Sequence, residues 1–481
     1  MYKKLRKGFI FTAIGTYSNF LIQIIVQSLL SRLLSPKDYG VVAIMQIFII
    51  FFGMLVEVGM GPAIIQNKTL TKEDNMSLFN FSAIFSVVLA VIFGLFGLVL
   101  SWVYTNSIYA YLTWIQAISI LFNGLNIVPT ALLNKRKQFK AVNFSMVVAS
   151  LLSGVLGVSL ALLGFGIYAL IASAITTAFV NFCLNRFFAN IWFSKRWDMH
   201  PMVDIWLFSR NQFGANFINY FSTNFDNILV GKFMGVTALA NYNKSFQLLM
   251  LPSTLFLNIM NPVLQPVLSD YQEEVVTIRE VYYSIVHILA LFGIPLSIFL
   301  SMSAKQIIFF FFGNQWGGAV LPFSFLAIIV WCQMTTYTNG AIWQSRNQTN
   351  LFLFSSIINT LILVCSIIFG ILLGSIDAVA LCLAIGNFIS FFWKFYYLTK
   401  KSLEDSLINL LKNFINPFFL GIFVFVGLEL ERFIDPSNVF FSLIIRSVVF
   451  IVIVTGYIML TSEKEKIRAI FKNEHDSIQL E

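Results

Sequence analysis

The feature that most constrains this chain is an apolar run, about twenty residues long and with few or no charges, that recurs along almost its whole length. A hydrocarbon core about 30 Å thick takes roughly 20 residues of α-helix. Windows of that size fall near 9–33, 41–65, 78–103, 112–133, 142–163, 166–188, 206–231, 241–268, 281–302, 318–343, 351–373, 377–398, 415–430 and 438–460. They predict an all-α polytopic membrane protein with about fourteen transmembrane helices. Composition agrees, with 58% hydrophobic residues, 11% charged and 53 phenylalanines, where a soluble domain is about a quarter charged. Soluble enzymes, disordered chains and nucleic-acid-binding proteins are excluded. Lys3, Lys4, Arg6 and Lys7 before an apolar stretch resemble a signal peptide, but the stretch runs to Leu34 without a small-residue cleavage site. It is expected to persist as the first span.

Basic residues orient these spans. With the N-terminus in the cytoplasm, 23 of the 31 lysines and arginines fall in inside segments. Outside loops hold five, Lys37, Lys232, Lys244, Lys305 and Arg432, while Arg32, Arg210 and Arg446 lie in or at the ends of spans. Short cytoplasmic loops carry the excess of positive charge, so both termini are expected inside. The net charge of +9 is mostly this asymmetry, with some attraction to anionic lipid head groups. Every loop is short, so the chain is expected to work within the bilayer.

Compared with itself, the chain repeats. The first span carries Thr12, Thr16, Asn19, Gln23 and Gln27 at helical spacing, and the seventh carries Gln212, Asn216, Asn219, Thr223 and Asn227 at an offset of 200. Arg32 falls on Lys232 at the same offset. From the loop after the fourth span onward, Arg136, Gln138, Phe144, Ser145, Leu163, Gly164 and Ala174 recur at an offset of 210 as Arg346, Gln348, Phe354, Ser355, Leu373, Gly374 and Ala384. The repeats predict two pseudo-symmetric six-helix lobes, 1–200 and 201–400, around a central cavity, with two extra C-terminal helices and a cytoplasmic tail over 401–481. Parallel repeats of this kind place the substrate path at their interface. Amides and hydroxyls facing lipid are costly, so both stripes should face protein or water. They are either interhelical hydrogen-bonding glue or the lining of a water-filled cavity. In the second case Asn19, Gln23, Asn216, Asn219 and Thr223 are candidate substrate contacts.

An ionisable group at mid-bilayer costs roughly 3 kcal/mol on insertion scales, so each one needs a reason. Glu57, just before the Gly59-Met60-Gly61-Pro62 break, is a candidate carrier of a coupling proton, or a partner for a neighbouring helix or for the backbone exposed at the break. Asp226, at the edge of the second stripe, is either a coupling carboxylate or the partner of a cavity arginine. Arg210 either snorkels to the interface or meets a phosphate, which suits its planar guanidinium. Arg32 and Lys232 either snorkel at the outer ends of their spans or flank an exit for an anion. Arg136 and Arg346 read as topological or as part of an entrance. Arg446 reads as snorkelling or as paired with Glu429 or Glu431.

No catalytic constellation is visible. Cys183, Cys332, Cys365 and Cys382 lie in apolar stretches without metal-like spacing and read as small buried hydrophobes. His200, His287 and His475 are too scattered for a metal site or a triad. There is no Walker motif for direct use of ATP and no paired-carboxylate loop for a nucleotide sugar. No cofactor or metal is expected.

The run Ser31-Arg32-Leu33-Leu34-Ser35-Pro36-Lys37-Asp38-Tyr39-Gly40 resembles the turn R-x-L-(S/G)-P-x-(D/E)-(Y/F)-G of polysaccharide-exporting flippases. Glu57-Val58-Gly59-Met60-Gly61-Pro62-Ala63-Ile64-Ile65-Gln66 and Asp226-Asn227-Ile228-Leu229-Val230-Gly231-Lys232-Phe233-Met234-Gly235 fit the same pattern, as do Ala240-Asn241-Tyr242-Asn243 and Leu251-Pro252. Over residues 1–400 the chain is similar to Wzx-type flippases of the multidrug/oligosaccharidyl-lipid/polysaccharide (MOP) exporter superfamily, with the colanic and teichuronic acid exporters as the best-fitting branch. The resemblance implies a two-lobed transporter of the bacterial cytoplasmic membrane. Such a transporter turns an undecaprenyl-pyrophosphate-type lipid-linked oligosaccharide across the bilayer by alternating access, coupled to a proton or sodium ion gradient. It implies a basic cavity, for which Arg32, Arg210 and Lys232 would supply the charge. Family patterns often carry Asp where this chain has Glu57.

Two rivals remain. A multidrug or cation exporter of the same superfamily would favour an acidic, aromatic cavity. A membrane polysaccharide polymerase would need a long outside loop bearing Arg or His. Topology is directly testable: alkaline phosphatase fused after Lys137 should be inactive, and fused after Gly313 it should be active. Activity at both positions, or the reverse pattern, would overturn the orientation.

Overall fold

The computed structural model describes residues 2–57, 60–67, 69–194, 198–203, 217, 220, 224–269, 271–431, 438–461 and 463–465. Over these residues the chain is a succession of helices joined by short turns, with no strand. Residues 1–240 and 241–481 form two compact units.

The first unit holds α1 (Tyr2–Leu33), α2 (Pro36–Glu57), α3 (Met60–Gln66), α4 (Lys72–Val103), α5 (Ile108–Leu125), α6 (Ile127–Lys135), α7 (Phe139–Leu162), α8 (Ile167–Ala189) and α9 (224–234). Local chemistry sets where they start. At α2 the Ser35 N–H and hydroxyl donate to Asp38 Oδ2 at 3.2 and 2.6 Å, and the Asp38 N–H donates back to Ser35 Oγ at 3.2 Å. Pro36 takes the first helical position, where its missing N–H costs nothing. Thr71 and Asp74 form the same reciprocal box at α4. Glycines then let helices approach: a Cβ on Gly97 would meet Thr113 Oγ1 at 2.0 Å, and one on Gly94 would meet the Trp114 ring at 2.5 Å, so α4 and α5 lie close. A cluster of Met60, Phe79, Leu125, Val128 and Phe182 closes the loop end of these helices.

α10 (Val236–Ser269) begins in the first unit and runs on into the second, which holds α11 (Val275–Met302), α12 (Ala304–Phe312), a 3-10 turn (Asn314–Ala319), α13 (Val320–Ala327), α14 (Val330–Thr336) and α15 (Asn339–Ser345). The second unit continues through α16 (Thr349–Leu372), α17 (Ile376–Lys401), α18 (Leu407–Leu411), α19 (Ile415–Glu431) and α20 (Val439–Leu460). The repeated sequences reappear as repeated turns. Lys137 takes φ 58° and Asn347 takes φ 56°; beside them Gln138 N–H donates to Leu133 O at 2.8 Å and Gln348 N–H donates to Trp343 O at 2.7 Å. Gly164 and Gly374, at φ 83° and 79°, close the next helix of each unit in the same left-handed way.

Among the described residues ten helical runs are long and apolar enough to cross a membrane, or eleven if the pair Asn314–Ala327 and Val330–Ser345, bent by 46°, is one span. The windows read from sequence also include α1 and α10, whose side chains are described only in part. They include too the span near 206–231, most of which lies outside the described residues.

Helix α11 is the post of the second unit, with α14 and α19 packed along it. Buried polar pairs fasten α19 and α20 to its C-terminal end and to its middle. At one end Arg446 Nε lies 3.0 Å from Glu431 Oε2, and its Nη1 donates to Met302 O at 2.7 Å. Near the middle, His287 Nδ1 donates to Asn413 O at 2.7 Å and Nε2 meets Glu463 Oε2 at 2.6 Å. Asn416 donates to the second Glu463 oxygen at 2.8 Å. Arg446 is therefore paired with Glu431, one of the two partners expected for it, and is not a lipid-facing snorkel. Removing one member of a buried pair strands the other and costs about 3 kcal/mol or more. Arg446→Met should lower the thermal midpoint of the detergent-solubilised protein by several degrees, and R446M/E431M should recover most of the loss. An unchanged midpoint in the single variant would show the pair to be mechanically idle.

Candidate functional site

The polar stripe of α1 divides into three. Asn19 is buried and accepts a hydrogen bond from the Ser150 hydroxyl of α7, behind which Ser153 and Ser173 continue a chain of hydroxyls to α8. Asn19 is thus placed as interhelical glue. Gln23, one turn on, is exposed. Gln27 accepts from the Tyr39 hydroxyl at 3.4 Å and ties α1 to α2. In the equivalent stripe Arg210, Asn216, Asn219 and Thr223 lie outside the described residues.

The charged candidates go to different neighbours. Arg32 is exposed in the last turn of α1. Lys232, on α9, donates its ammonium to the carbonyl of Val103, the last residue of α4. There it satisfies a terminal carbonyl and the negative end of the helix dipole. Glu57 is half-buried at the end of α2, and a Cβ on Gly61 would come within 3.3 Å of its Oε1. Asp226 is 8% exposed, and its Oδ1 accepts from the Asn227 N–H at 2.8 Å.

Arg136 donates to Ala189 O at 2.8 Å, closing the end of α8. Beside it the Arg186 guanidinium stands over the rings of Trp192, Phe193, Phe182 and Phe79 at 4.7, 5.4, 5.8 and 5.9 Å. Asn80 and Ser194 exchange hydrogen bonds at 2.9 and 3.1 Å, so the chain leaving α8 is pinned to α4.

Two lysines, one of them counted in an outside loop from sequence, lie within helices. Lys244 is 4% exposed in α10, with its ammonium 4.6 Å from the Phe312 ring centre and 5.3 Å from that of Trp316. Ring quadrupoles attract a desolvated cation in this position. Lys394 sits within α17 on the side opposite the exposed Leu381, Ile385, Phe388 and Phe392. Neither was legible from charge counting, because a lysine near a span end looks the same whether it points out of the membrane or back into the protein.

The turn that carries the family resemblance is mechanical. Besides the Ser35–Asp38 cap, Ser31 donates to the Tyr39 hydroxyl at 3.3 Å. A Cβ on Gly40 would lie 1.9 Å from the Val236 carbonyl oxygen, so only glycine lets α2 meet the start of α10. Gly235, at φ 88°, makes the turn from α9 into α10.

This helical architecture is that of MOP-superfamily transporters. The chain is similar to the lipid II flippase MurJ in an inward closed conformation, with TM-score 0.72 and 15% identity over 95% of this chain and 99% of that one. It is also similar to an inward-facing multidrug resistance MATE family transporter of the MOP superfamily, with TM-score 0.61 and 15% identity over 82% and 96%. In sequence it is 25% identical over 442 residues to the teichuronic acid biosynthesis protein TuaB of Bacillus subtilis, covering 90% of each chain. The family described as polysaccharide biosynthesis protein matches residues 29–321, more than half of the chain, and the chain belongs to that family.

The glycine argument is open to measurement. Gly40→Ala should cost about 2 kcal/mol or more through overpacking and lower the yield of folded protein. Gly53→Ala, where a Cβ meets nothing within 4 Å, should be neutral. Equal behaviour of the two would remove the close approach as the reason for glycine.

Proposed function

We propose that the chain is a flippase. It moves polyprenyl-pyrophosphate-linked oligosaccharide repeat units across the cytoplasmic membrane for export of a cell-surface polysaccharide, by alternating access driven by a proton or sodium gradient. The observation that carries the reading is membership of the polysaccharide biosynthesis family over residues 29–321, joined to the fold of a MOP transporter. The physical logic supports it. A hydroxyl-rich head group and a pyrophosphate cannot cross hydrocarbon unaided, while a polyprenyl tail stays in lipid throughout. Such a cargo needs a polar route through the membrane and no reactive group. Arg32 and Arg210 are the proposed phosphate contacts, and Glu57 and Asp226 the proposed coupling carboxylates. A drug exporter of the same superfamily is the alternative, because the fold serves both.

Proteoliposomes with an imposed pH or sodium gradient separate the two. The sidedness of polyprenyl-pyrophosphate oligosaccharide is followed beside a cationic dye. Movement of the lipid, reduced about tenfold or more in Arg210→Ala by loss of a charged hydrogen bond, supports the flippase and the phosphate contact. Movement of the dye without the lipid sinks the reading and makes the chain a drug exporter.

A further inference from the structure

The interrupted helix of each unit, α5–α6 in the first and α13–α15 in the second, repeats the other's exposure pattern at an offset of 210. In the first half of the helix the open or half-open positions are Tyr111, Trp114, Ile115 and Ile118, matched by Leu321, Ser324, Phe325 and Ile328. These are mostly apolar, as a lipid-facing side should be. Past the middle the open side swings roughly a third of a turn round the axis and changes chemistry. It becomes Asn123, Asn126, Ile127, Thr130 and Asn134 in one helix, and Gln333, Thr336, Tyr337, Gly340 and Gln344 in the other. The spacing of i, i+3, i+4, i+7 and i+11 lies on one face. Each ladder is about 16 Å long at 1.5 Å per residue.

The amides on these faces are not consumed by the fold. Asn123, Asn134, Gln333 and Gln344 make no side-chain hydrogen bond among the described residues, and Gln333 Oε1 is shut off from solvent with no partner. Behind them the ladder of the first unit is braced, since Asn185 donates to Asn126 Oδ1 at 3.0 Å and to Thr130 Oγ1 at 3.1 Å. In the second unit the Thr336 hydroxyl is tied to Cys332 O at 2.8 Å. Fixed amides left open inside a membrane span are costly unless a ligand or water pairs with them. The chemistry selects the ligand. The faces are uncharged, so they do not suit an anion, and polar, so they do not suit an acyl or prenyl tail. Each amide offers a donor and an acceptor together, which matches neighbouring sugar hydroxyls. Tyr337, 40% exposed, adds a ring face for the C–H side of a pyranose.

We propose that the open amide faces of α5–α6 and α14–α15 are two equivalent carbohydrate-binding subsites that hold the oligosaccharide of the cargo, apart from the groups that hold its pyrophosphate. This rests on the flippase reading and adds where, and by which residues, the glycan is recognised.

The test uses the full chain in lipid nanodiscs with two probes. One is undecaprenyl pyrophosphate, and the other is the polyprenyl-pyrophosphate oligosaccharide extracted from membranes of the producing cells. Asn123→Ala and Gln333→Ala should each weaken the glycosylated probe about tenfold, the worth of one hydrogen bond left unmade in a closed site, and leave the bare probe unchanged. Asn123→Gln should keep most of the affinity. Equal weakening of both probes, or an unchanged glycosylated probe in the double variant, overturns the subsites while leaving the flippase intact. Wild-type protein that binds neither probe removes the flippase reading, and the glycan subsites fall with it.

Discussion

Hydrocarbon offers no hydrogen bonds, and most of what this chain does with its polar residues follows from that. Within the helices, serines and threonines turn back on their own backbone: Ser86 donates to Ser82 O at 2.5 Å, Thr113 to Tyr109 O at 2.8 Å, Thr399 to Phe395 O at 2.8 Å. Others cross to a neighbour, as Ser82 does to Gly124 O at 2.8 Å and Ser245 to Ala319 O at 2.9 Å. The same demand explains the buried charges. Arg446 is held by a carboxylate and a helix-end carbonyl, Lys244 by two rings and His287 by a carbonyl and a carboxylate. Against that economy a span residue whose amide remains open stands out.

Much of the fold was legible because its determinants are local. Apolar length sets a span, Ser35-Pro36-Lys37-Asp38 sets the start of α2, and Gly164 and Gly374 set matching ends, each within a few residues of sequence. The internal repeat was legible for the same reason, since its best-preserved letters, Arg136 and Gln138 against Arg346 and Gln348, are those of a left-handed turn with strict backbone needs. The candidate site was less legible, because which way a helix face points is decided by what packs beside it. Asn19 and Gln23 are one turn apart on the same stripe, yet one is bonded to α7 and the other is exposed. His287 and Glu463 are 176 residues apart and meet only because α20 returns to α11. The ladders of α5–α6 and α14–α15 are not legible in the sequence because the open side rotates part-way along, so no single straight stripe runs along the span.

The motifs that carry the family resemblance therefore report the fold more than the cargo. Ser35, Asp38, Tyr39 and Gly40 cap a helix, brace α1 against α2 and admit the start of α10. Gly235 turns α9 into α10, and Tyr242 is wholly buried. A scaffold held by such devices can keep its turns while the open faces change, so one fold can host different functions.

Division of labour among polar groups then follows from the cargo. In the proposed cargo the pyrophosphate is the same whatever glycan it carries, so a few cations of fixed geometry would suffice to meet it. The glycan differs from one polysaccharide to the next, and on the proposed reading neutral donors and acceptors read it, where one misplaced hydroxyl would strand a buried amide and discriminate by about tenfold or more. Asn123 and Gln333 stand at the same place in the two repeats but differ by one methylene, as do Asn134 and Gln344. Tyr337 has no aromatic counterpart, since Ile127 takes its place. The repeat has kept the polarity of the two faces and let their reach diverge. That divergence suits the two proposed subsites, each with its own reach toward a sugar.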